Sequence, residues 1–244
     1  MPRRARFCLA GLPQHIIQRG NNRQVSFFTE EDYRFYIDCL SESKRKYGCL
    51  VHAYVLMTNH VHLLASANEV DGLSRMMQHL GRSFVRYING TYRRTGTLWE
   101  GRFKASLVDS EQYYMRCCHY IENNPVRAGM VRHPAEHAWS SYRFHASGDE
   151  DRLVSAHEMY QRLGSTPEER QRHYRESFRN ELAEPALQEI RDTVNRGWPL
   201  GRERFKDEIA GALQRITRPP KRGRPRRESG ENPGRENSGQ GNIS

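Results

Sequence analysis

Apolar and polar positions follow a readable order along the first 145 residues of the chain. Residues 13–19, Pro13-Gln14-His15-Ile16-Ile17-Gln18-Arg19, predict a strand that runs into the turn cluster Gly20-Asn21-Asn22. Thr29 then offers an N-cap, and Glu30, Glu31 and Asp32 fill the first turn, where the helix dipole favours acids. Tyr33, Tyr36, Ile37 and Leu40 fall at helical spacing, and Gly48 marks the far end of this helix. Residues 49–57 predict a second strand and 60–67 a third. Thr58-Asn59 between them suits a tight antiparallel hairpin, although it lacks the glycine of the commonest turns. A longer helix follows, with Leu73, Met76, Met77, Leu80, Phe84, Tyr87 and Ile88 as its apolar stripe. Residues 104–108 predict a fourth strand. Ser110 can cap a third helix from Glu111 to about Asn124, which Pro125 stops by pushing the preceding residue out of helical geometry.

The order strand, helix, strand, strand, helix, strand, helix suits an α+β fold: a ferredoxin-like or RRM-like antiparallel sheet with helices packed on one face. After about residue 146 the pattern changes to charged helical segments near 155–163, 167–182, 185–195 and 202–216. Trp198-Pro199-Leu200-Gly201 parts the last two. From Pro219 onward there is almost nothing apolar to bury, which predicts disorder. The expected organisation is a sheet domain over 1–145, a helical region over 146–218 and a basic tail over 219–244.

Charge narrows the partners. A net charge of +10 points to nucleic acid or an anionic membrane. No stretch approaches the length of a transmembrane helix, and no long apolar segment follows the basic start Met1-Pro2-Arg3-Arg4-Ala5-Arg6, so nucleic acid stands ahead of membrane. Arg75, Arg82, Arg86, Arg93 and Arg94 share the polar face of the second helix. Each one fits a solvated surface, whereas five together favour phosphate contact. Cys8, Cys39, Cys49, Cys117 and Cys118 are odd in number and form no C-x-x-C, so reduced thiols in a cytoplasmic protein are expected. A zinc site on Cys117, Cys118 and His119 lacks ordinary ligand spacing.

Candidate chemistry starts from His60 and His62. Residues two apart in a strand share a face, so these imidazoles point one way while Val61 and Leu63 point the other. Two imidazoles on one face can hold a divalent ion, and the same pair also fits two strand histidines with satisfied hydrogen bonds. On the third helix, Tyr120 and Asn124 are four apart and lie on one face. A phenol and an amide oxygen would project together, although, taken alone, a core-edge tyrosine and a C-terminal capping asparagine are the favoured reading. Tyr113 and Tyr114 are rival phenols on that helix. A free phenol, with a pKa near 10, is a weak nucleophile at neutral pH. A divalent cation on the histidines and the amide would polarise a phosphate for its attack.

In combination these segments resemble a known family. Asn59-His60-Val61-His62-Leu63-Leu64 resembles the His-hydrophobe-His motif of the HUH endonucleases. Tyr120-Ile121-Glu122-Asn123-Asn124-Pro125-Val126-Arg127-Ala128-Gly129 resembles the tyrosine helix of single-tyrosine transposases, in the form found in REP-associated tyrosine transposases. Gln18-Arg19-Gly20-Asn21 and Trp99-Glu100-Gly101-Arg102-Phe103-Lys104 are further matches, so the resemblance runs across residues 12–145. Gly201-Arg202-Glu203-Arg204-Phe205 is similar to extensions of the same group. Asn124 stands where other single-tyrosine transposases often carry glutamine.

The resemblance implies a metal-dependent endonuclease and transposase acting on single-stranded DNA. Tyr120 would form a 5′-phosphotyrosine link, and His60, His62 and Asn124 would hold Mg²⁺ or Mn²⁺. Arg19, Asn21, Arg75, Arg82, Arg86, Arg102, Lys104 and Arg127 are the expected DNA contacts. The expected partner is hairpin DNA of repetitive extragenic palindromes with a short unpaired tetranucleotide, bound by a monomer or homodimer at the nucleoid. Lys221-Arg222-Gly223-Arg224-Pro225-Arg226-Arg227 resembles an AT-hook, which adds Arg222 and Arg224 as minor-groove contacts. Two other readings stay open: a non-catalytic hairpin-binding protein, and a ferredoxin-like RNA-binding module, which would need aromatics on an open sheet face.

Overall fold

The strand pattern builds one four-stranded antiparallel sheet in the order β2-β3-β1-β4, from β1 (Gln14–Arg19), β2 (Cys49–Leu56), β3 (His60–Ala67) and β4 (Lys104–Leu107). The computed structural model describes residues 5–110, 112–179 and 182–218. β1 is central and sets Arg19 opposite His60 and Ile17 opposite His62. The crossovers are α1 (Glu30–Lys46) and α2 (Gly72–Thr91), which gives the ferredoxin-like order of elements. α1 starts where expected. Asp32 reaches back to the Phe28 and Thr29 N–H groups at 2.7 and 3.1 Å and satisfies donors that the helix itself leaves unpaired.

Alternation along the strands splits the sheet into two faces. Val61, Leu63 and Ala65 pack with Tyr36 and Leu40 of α1 and with Met76, Leu80, Phe84 and Ile88 of α2. A bulge between Val51 and Ala53 resets the alternation in β2. Tyr54 and Leu56 therefore join this first core, while Ala53 and Val55 face the other way.

Helices on one face describes α1 and α2 only. The opposite face is covered by α3 (Tyr114–Glu122), packed on Ala53, Val55 and Leu64, and by α8 (Glu184–Arg196), which lies against β4 and β1. The reason lies in β2 and β3 themselves. Their central residues are apolar on both sides, and such strands must be covered on both. α3 also differs in its bounds. It begins at Tyr114 and ends at Glu122, and Pro125 sits in the first turn of a separate short helix, α4 (Asn124–Arg127). A proline in a first turn lacks an N–H that had no partner there anyway, so it begins a helix here and does not simply end one.

The later helices are α5 (Tyr142–Ser147), α6 (Glu158–Gln161), α7 (Pro167–Ser177) and α9 (Glu203–Leu213). Residues beyond 146 join the same interior. Tyr160, Tyr174, Leu187, Ile190 and Leu200 pack with Tyr114, Cys118, Tyr120 and Ile121. Backbone bonds continue the attachment, with Ser155 N–H donating to Val51 O and Leu200 N–H to Leu107 O, both at 2.7 Å. The fully buried Glu122 carboxylate ties α3 to its surroundings. It accepts from Ser141 Oγ at 2.5 Å, His145 Nδ1 at 2.8 Å and Tyr174 Oη at 2.5 Å, which is how a buried charge is made tolerable. The tail expected over 219–244 lies outside the described residues.

Two buried histidines make stability depend on pH. His52 bonds Ser155 O at 3.0 Å and Ser66 Oγ at 2.8 Å, and His119 bonds Ser177 Oγ at 2.7 Å. Burial holds both down at a pKa of about 4. Above pH 6.5 both are neutral, folded or unfolded. Below it the unfolded chain binds protons that the folded chain refuses until about pH 4, so stability falls across that window. The expected loss at pH 5 relative to pH 7 is on the order of 2 kcal/mol per histidine. Urea unfolding at the two pH values measures it, and equal stability at both would contradict it.

Candidate active site

β3 presents His60 and His62 on the face turned toward α3. The hairpin that delivers them is closed by Met57 N–H on His60 O at 2.9 Å. Neither Thr58 nor Asn59 has a positive φ, so this is not a glycine-type hairpin turn. The segment after β1 holds it instead. Thr58 O accepts from Ser26 and Phe27 N–H at 2.9 and 3.2 Å, and Asn59 O accepts from Gly20 N–H at 2.8 Å. A Cβ on Gly20 would lie 2.3 Å from Gln24 O and 2.6 Å from Ser26 Oγ, so the close approach requires glycine.

Both imidazoles are oriented through Nδ1. His60 Nδ1 lies 2.6 Å from Asn59 Oδ1, whose amide nitrogen donates to Arg23 O at 2.9 Å. His60 thus carries its proton on Nδ1 and leaves Nε2 free. His62 Nδ1 lies 2.8 Å from Nε2 of His15 on β1. The His60 and His62 ring centroids are 5.0 Å apart. Burial, followed by the charge of Arg19, lowers His60 to about 4. Burial first, then His15, His60, Arg127 and Arg19, holds His62 well below its ordinary range. Both rings are neutral at pH 7, the state in which an imidazole ligates a metal.

Tyr120 closes the site from α3. Its ring meets His62 edge-on at 5.7 Å and His15 at 5.6 Å. The Arg127 guanidinium lies 4.6 Å from the ring centroid and donates to Tyr120 O at 2.5 Å. Arg191 of α8, paired with Glu184 at 2.9 Å, adds a second positive charge that favours the ionised phenol. Burial pushes the phenol up, and the two guanidiniums oppose that shift. Tyr114 is instead sunk in the core against His157 at 4.2 Å, and burial raises it well above its ordinary value. Tyr113 lies under Arg116 at 5.3 Å.

Asn124 follows one turn later. Its Nδ2 donates to Tyr120 O at 2.9 Å and Ile121 O at 3.2 Å, which leaves Oδ1 as the free end of the amide. Among the described residues, no three His, Cys, Asp or Glu side chains gather as a metal cage. An ion on the two histidines would therefore need an amide or substrate oxygen. Cys117 and Cys118 are free thiols inside the core.

Arg19, Arg102 and Lys104 line a cleft of about 480 Å³ together with Arg6, Phe103 and Arg196, and Glu100 is the only acid on its wall. Arg6 lies over the Phe103 ring at 3.6 Å, and Lys104 Nζ donates to Asn195 Oδ1 at 3.0 Å. Arg19 joins the cleft to the histidines, and Arg127 belongs to the tyrosine. Asn21 anchors the clamping segment through its N–H on Leu98 O at 2.8 Å. Arg75 is occupied by Glu69 at 3.4 Å and Asp71 at 3.8 Å. It shares α2 with the exposed Arg82 and Arg86, and the sheet separates all three from Tyr120. Arg222 and Arg224 of the AT-hook-like segment lie outside the described residues.

Reading the sequence missed His15, Arg191 and Glu122. A lone strand histidine carries no signal until strand pairing sets His15 opposite Leu64, diagonal to His62. Arg191 arrives from a distant helix with no local mark.

Residues 8–124 match the family model described as Transposase IS200 like. No curated protein matches the chain. Among solved structures, a REP-associated tyrosine transposase bound to a REP hairpin superposes with a TM-score of 0.53 at 19% identity, covering 64% of this chain and 93% of its own. At that identity it shows a shared fold. A putative transposase from Deinococcus radiodurans R1 is 21% identical over 50% of this chain and 97% of its own, with a TM-score of 0.35, too loose a superposition to carry an argument. Among the described residues, no helix is long and apolar enough to cross a membrane. The matched stretch, a little under half of the chain, holds all four strands, both histidines and Tyr120, and over it the chain is similar to the IS200-like transposases.

Proposed function

We propose that this chain is a metal-dependent, single-tyrosine DNA endonuclease and strand transferase. It cuts and rejoins single-stranded DNA beside hairpins through a covalent 5′-phosphotyrosine. The observation that carries this reading is the face of β3, where two neutral imidazoles, each held through Nδ1, stand against Tyr120, itself flanked by two guanidiniums. The solved neighbour bound to a REP hairpin supports hairpin DNA as the substrate class.

The side chains fit a divalent ion, because the Nδ1 atoms of His60 and His62 are engaged, which turns Nε2 toward a ligand, and Asn124 has Oδ1 free. In this mixed set the oxygen favours Mg²⁺ or Mn²⁺, while the imidazoles tilt toward the later divalent metals; Mg²⁺ or Mn²⁺ is the proposed ion. When bound, such an ion would neutralise charge developing on the scissile phosphate. Tyr120 Oη gives up its proton and bonds phosphorus, the bond from phosphorus to the 3′ oxygen breaks, and that oxygen takes up a proton. The products are a 5′-phosphotyrosine and a 3′-OH. No water is consumed, so the step can run backward onto another DNA end. Arg127 and Arg191 favour the phenolate and can meet the phosphate oxygens. Arg6, Arg19, Arg102, Lys104 and Arg196 offer a basic path for the strand.

An RNA-binding module would need an open sheet face for base stacking, and both faces are covered. Incubation of the protein with a labelled hairpin oligonucleotide and Mn²⁺, followed by a denaturing gel, tests the proposal. A covalent adduct is expected. Hairpin binding with no adduct would leave only a binding protein.

Arg191→Gln should slow adduct formation at pH 7 by roughly an order of magnitude for each unit the phenol pKa rises, with recovery as the pH is raised. The sign follows from removing a cation that opposes burial. A single-turnover pH profile measures this, and an equal slowing at every pH would show that Arg191 acts on position alone.

A further inference from the structure

His15 is fully buried and, like His145, leaves one ring nitrogen buried without a partner, but the other nitrogen of His145 is held by the Glu122 carboxylate whereas that of His15 meets a second histidine. His52 uses both ring nitrogens, on Ser155 O and Ser66 Oγ. His15 uses only Nε2, which lies 2.8 Å from His62 Nδ1, and its own Nδ1 is buried with no partner. The two rings stack with centroids 5.1 Å apart and planes 23° from parallel. A histidine serving only as core filling would be replaced without loss by an apolar ring, which leaves no nitrogen unpaired.

A neutral imidazole has one N–H, so the His15–His62 bond can run in two directions. If His15 donates, His62 carries its proton on Nε2 and that nitrogen cannot ligate. If His62 donates from Nδ1, its Nε2 lone pair is free, and His15 holds its proton on the unpartnered Nδ1. Metal-ligating histidines are commonly oriented this way, by an outer partner on the second nitrogen.

We propose that His15 is a positioning residue of the metal site: it accepts from His62 Nδ1–H and stacks on the ring, so that His62 presents its Nε2 lone pair to the ion. The inference rests on the reading of His60 and His62 as metal ligands. His15 makes no contact with the ion; it fixes which nitrogen of His62 is available and where it points.

The test is Mn²⁺ binding to the full chain without DNA, followed by electron paramagnetic resonance, with thermal melts to verify folding. His15→Phe keeps a flat ring against His62 and removes the acceptor. It should weaken Mn²⁺ binding by roughly 10- to 100-fold. His15→Gln places an amide oxygen near the lost nitrogen and should keep most of the affinity. Wild-type affinity in His15→Phe, or equal loss in both variants, would overturn the proposal. If His15→Phe does not fold, nitrogen-15 NMR of the Mg²⁺-loaded wild type decides. His62 should be protonated on Nδ1 and bonded to an unprotonated His15 Nε2, and a proton on His15 Nε2 would overturn the idea. His60→Ala and His62→Ala serve as controls. If they too leave Mn²⁺ binding unchanged, the metal reading fails and this inference with it; if they weaken binding while His15→Phe does not, only the role of His15 fails.

Discussion

Tyr120→Phe removes the covalent adduct and lowers cleavage by about four orders of magnitude or more, the scale on which loss of a catalytic nucleophile falls. Only Oη is deleted. The ring still packs on His62 and His15 under Arg127, and the residue is 5% exposed, so the site keeps its shape. Hairpin affinity should stay close to wild type, because the basic cleft is untouched. Gel assays for adduct and binding on one oligonucleotide separate the two effects. Undiminished adduct would remove Tyr120 from its role and point to Tyr113, which is half-buried, ahead of Tyr114, which is sealed in the core.

Loss of a metal ligand should be nearly as severe. His60→Ala is the cleaner variant, since His60 is half-buried while His62 is sealed and leaves a cavity when truncated. Either substitution is expected to cost several kcal/mol of transition-state stabilisation, roughly a thousandfold in rate. Asn124→Ala should cost less, because an amide oxygen is the weakest donor of the three and a substrate or water oxygen can take its place. EDTA should stop the wild type, and Mn²⁺ in excess should restore it. Cleavage at full rate in chelator would mean that the histidines are structural.

The strands, α1, α2 and the His60–His62 pair were legible in the sequence because each has a local physical signature. Thr29 and Asp32 cap α1, period-two spacing puts both imidazoles on one face, and Gly20-Asn21 marks the turn beside them. The second layer over the sheet was less legible. The double-sided apolar character of residues 51–57 and 61–65 signals it, yet alternation alone does not say which later segment covers it. α3 is shorter than its sequence pattern predicts because a proline is both a stop and a first-turn residue, and only tertiary packing chooses between them. His15 and Arg191 belong to the site through strand pairing and the docking of α8, relations that no sequence window contains. The match over 8–124 and the sheet order agree with the family resemblance, while the roles of individual residues rest on the experiments above.

The packing of Tyr120 on His62 of its own chain bears on whether two molecules can complement one another. Some two-part sites borrow a nucleophile from a neighbouring molecule, so two different inactive variants, once mixed, rebuild one working centre. Here the histidines and the phenol meet within one polypeptide, and Glu122 pins the tyrosine helix to α5 and α7 of that same polypeptide. A mixture of His60→Ala and Tyr120→Phe proteins should therefore stay inactive at every ratio, and first-strand cleavage should rise in simple proportion to protein concentration. Recovered activity in the mixture would mean that the tyrosine helix leaves its own sheet to serve another. Without such exchange, the proposed chemistry would make each molecule a self-sufficient nickase, and any requirement for pairing in rejoining would come from bringing two DNA ends together.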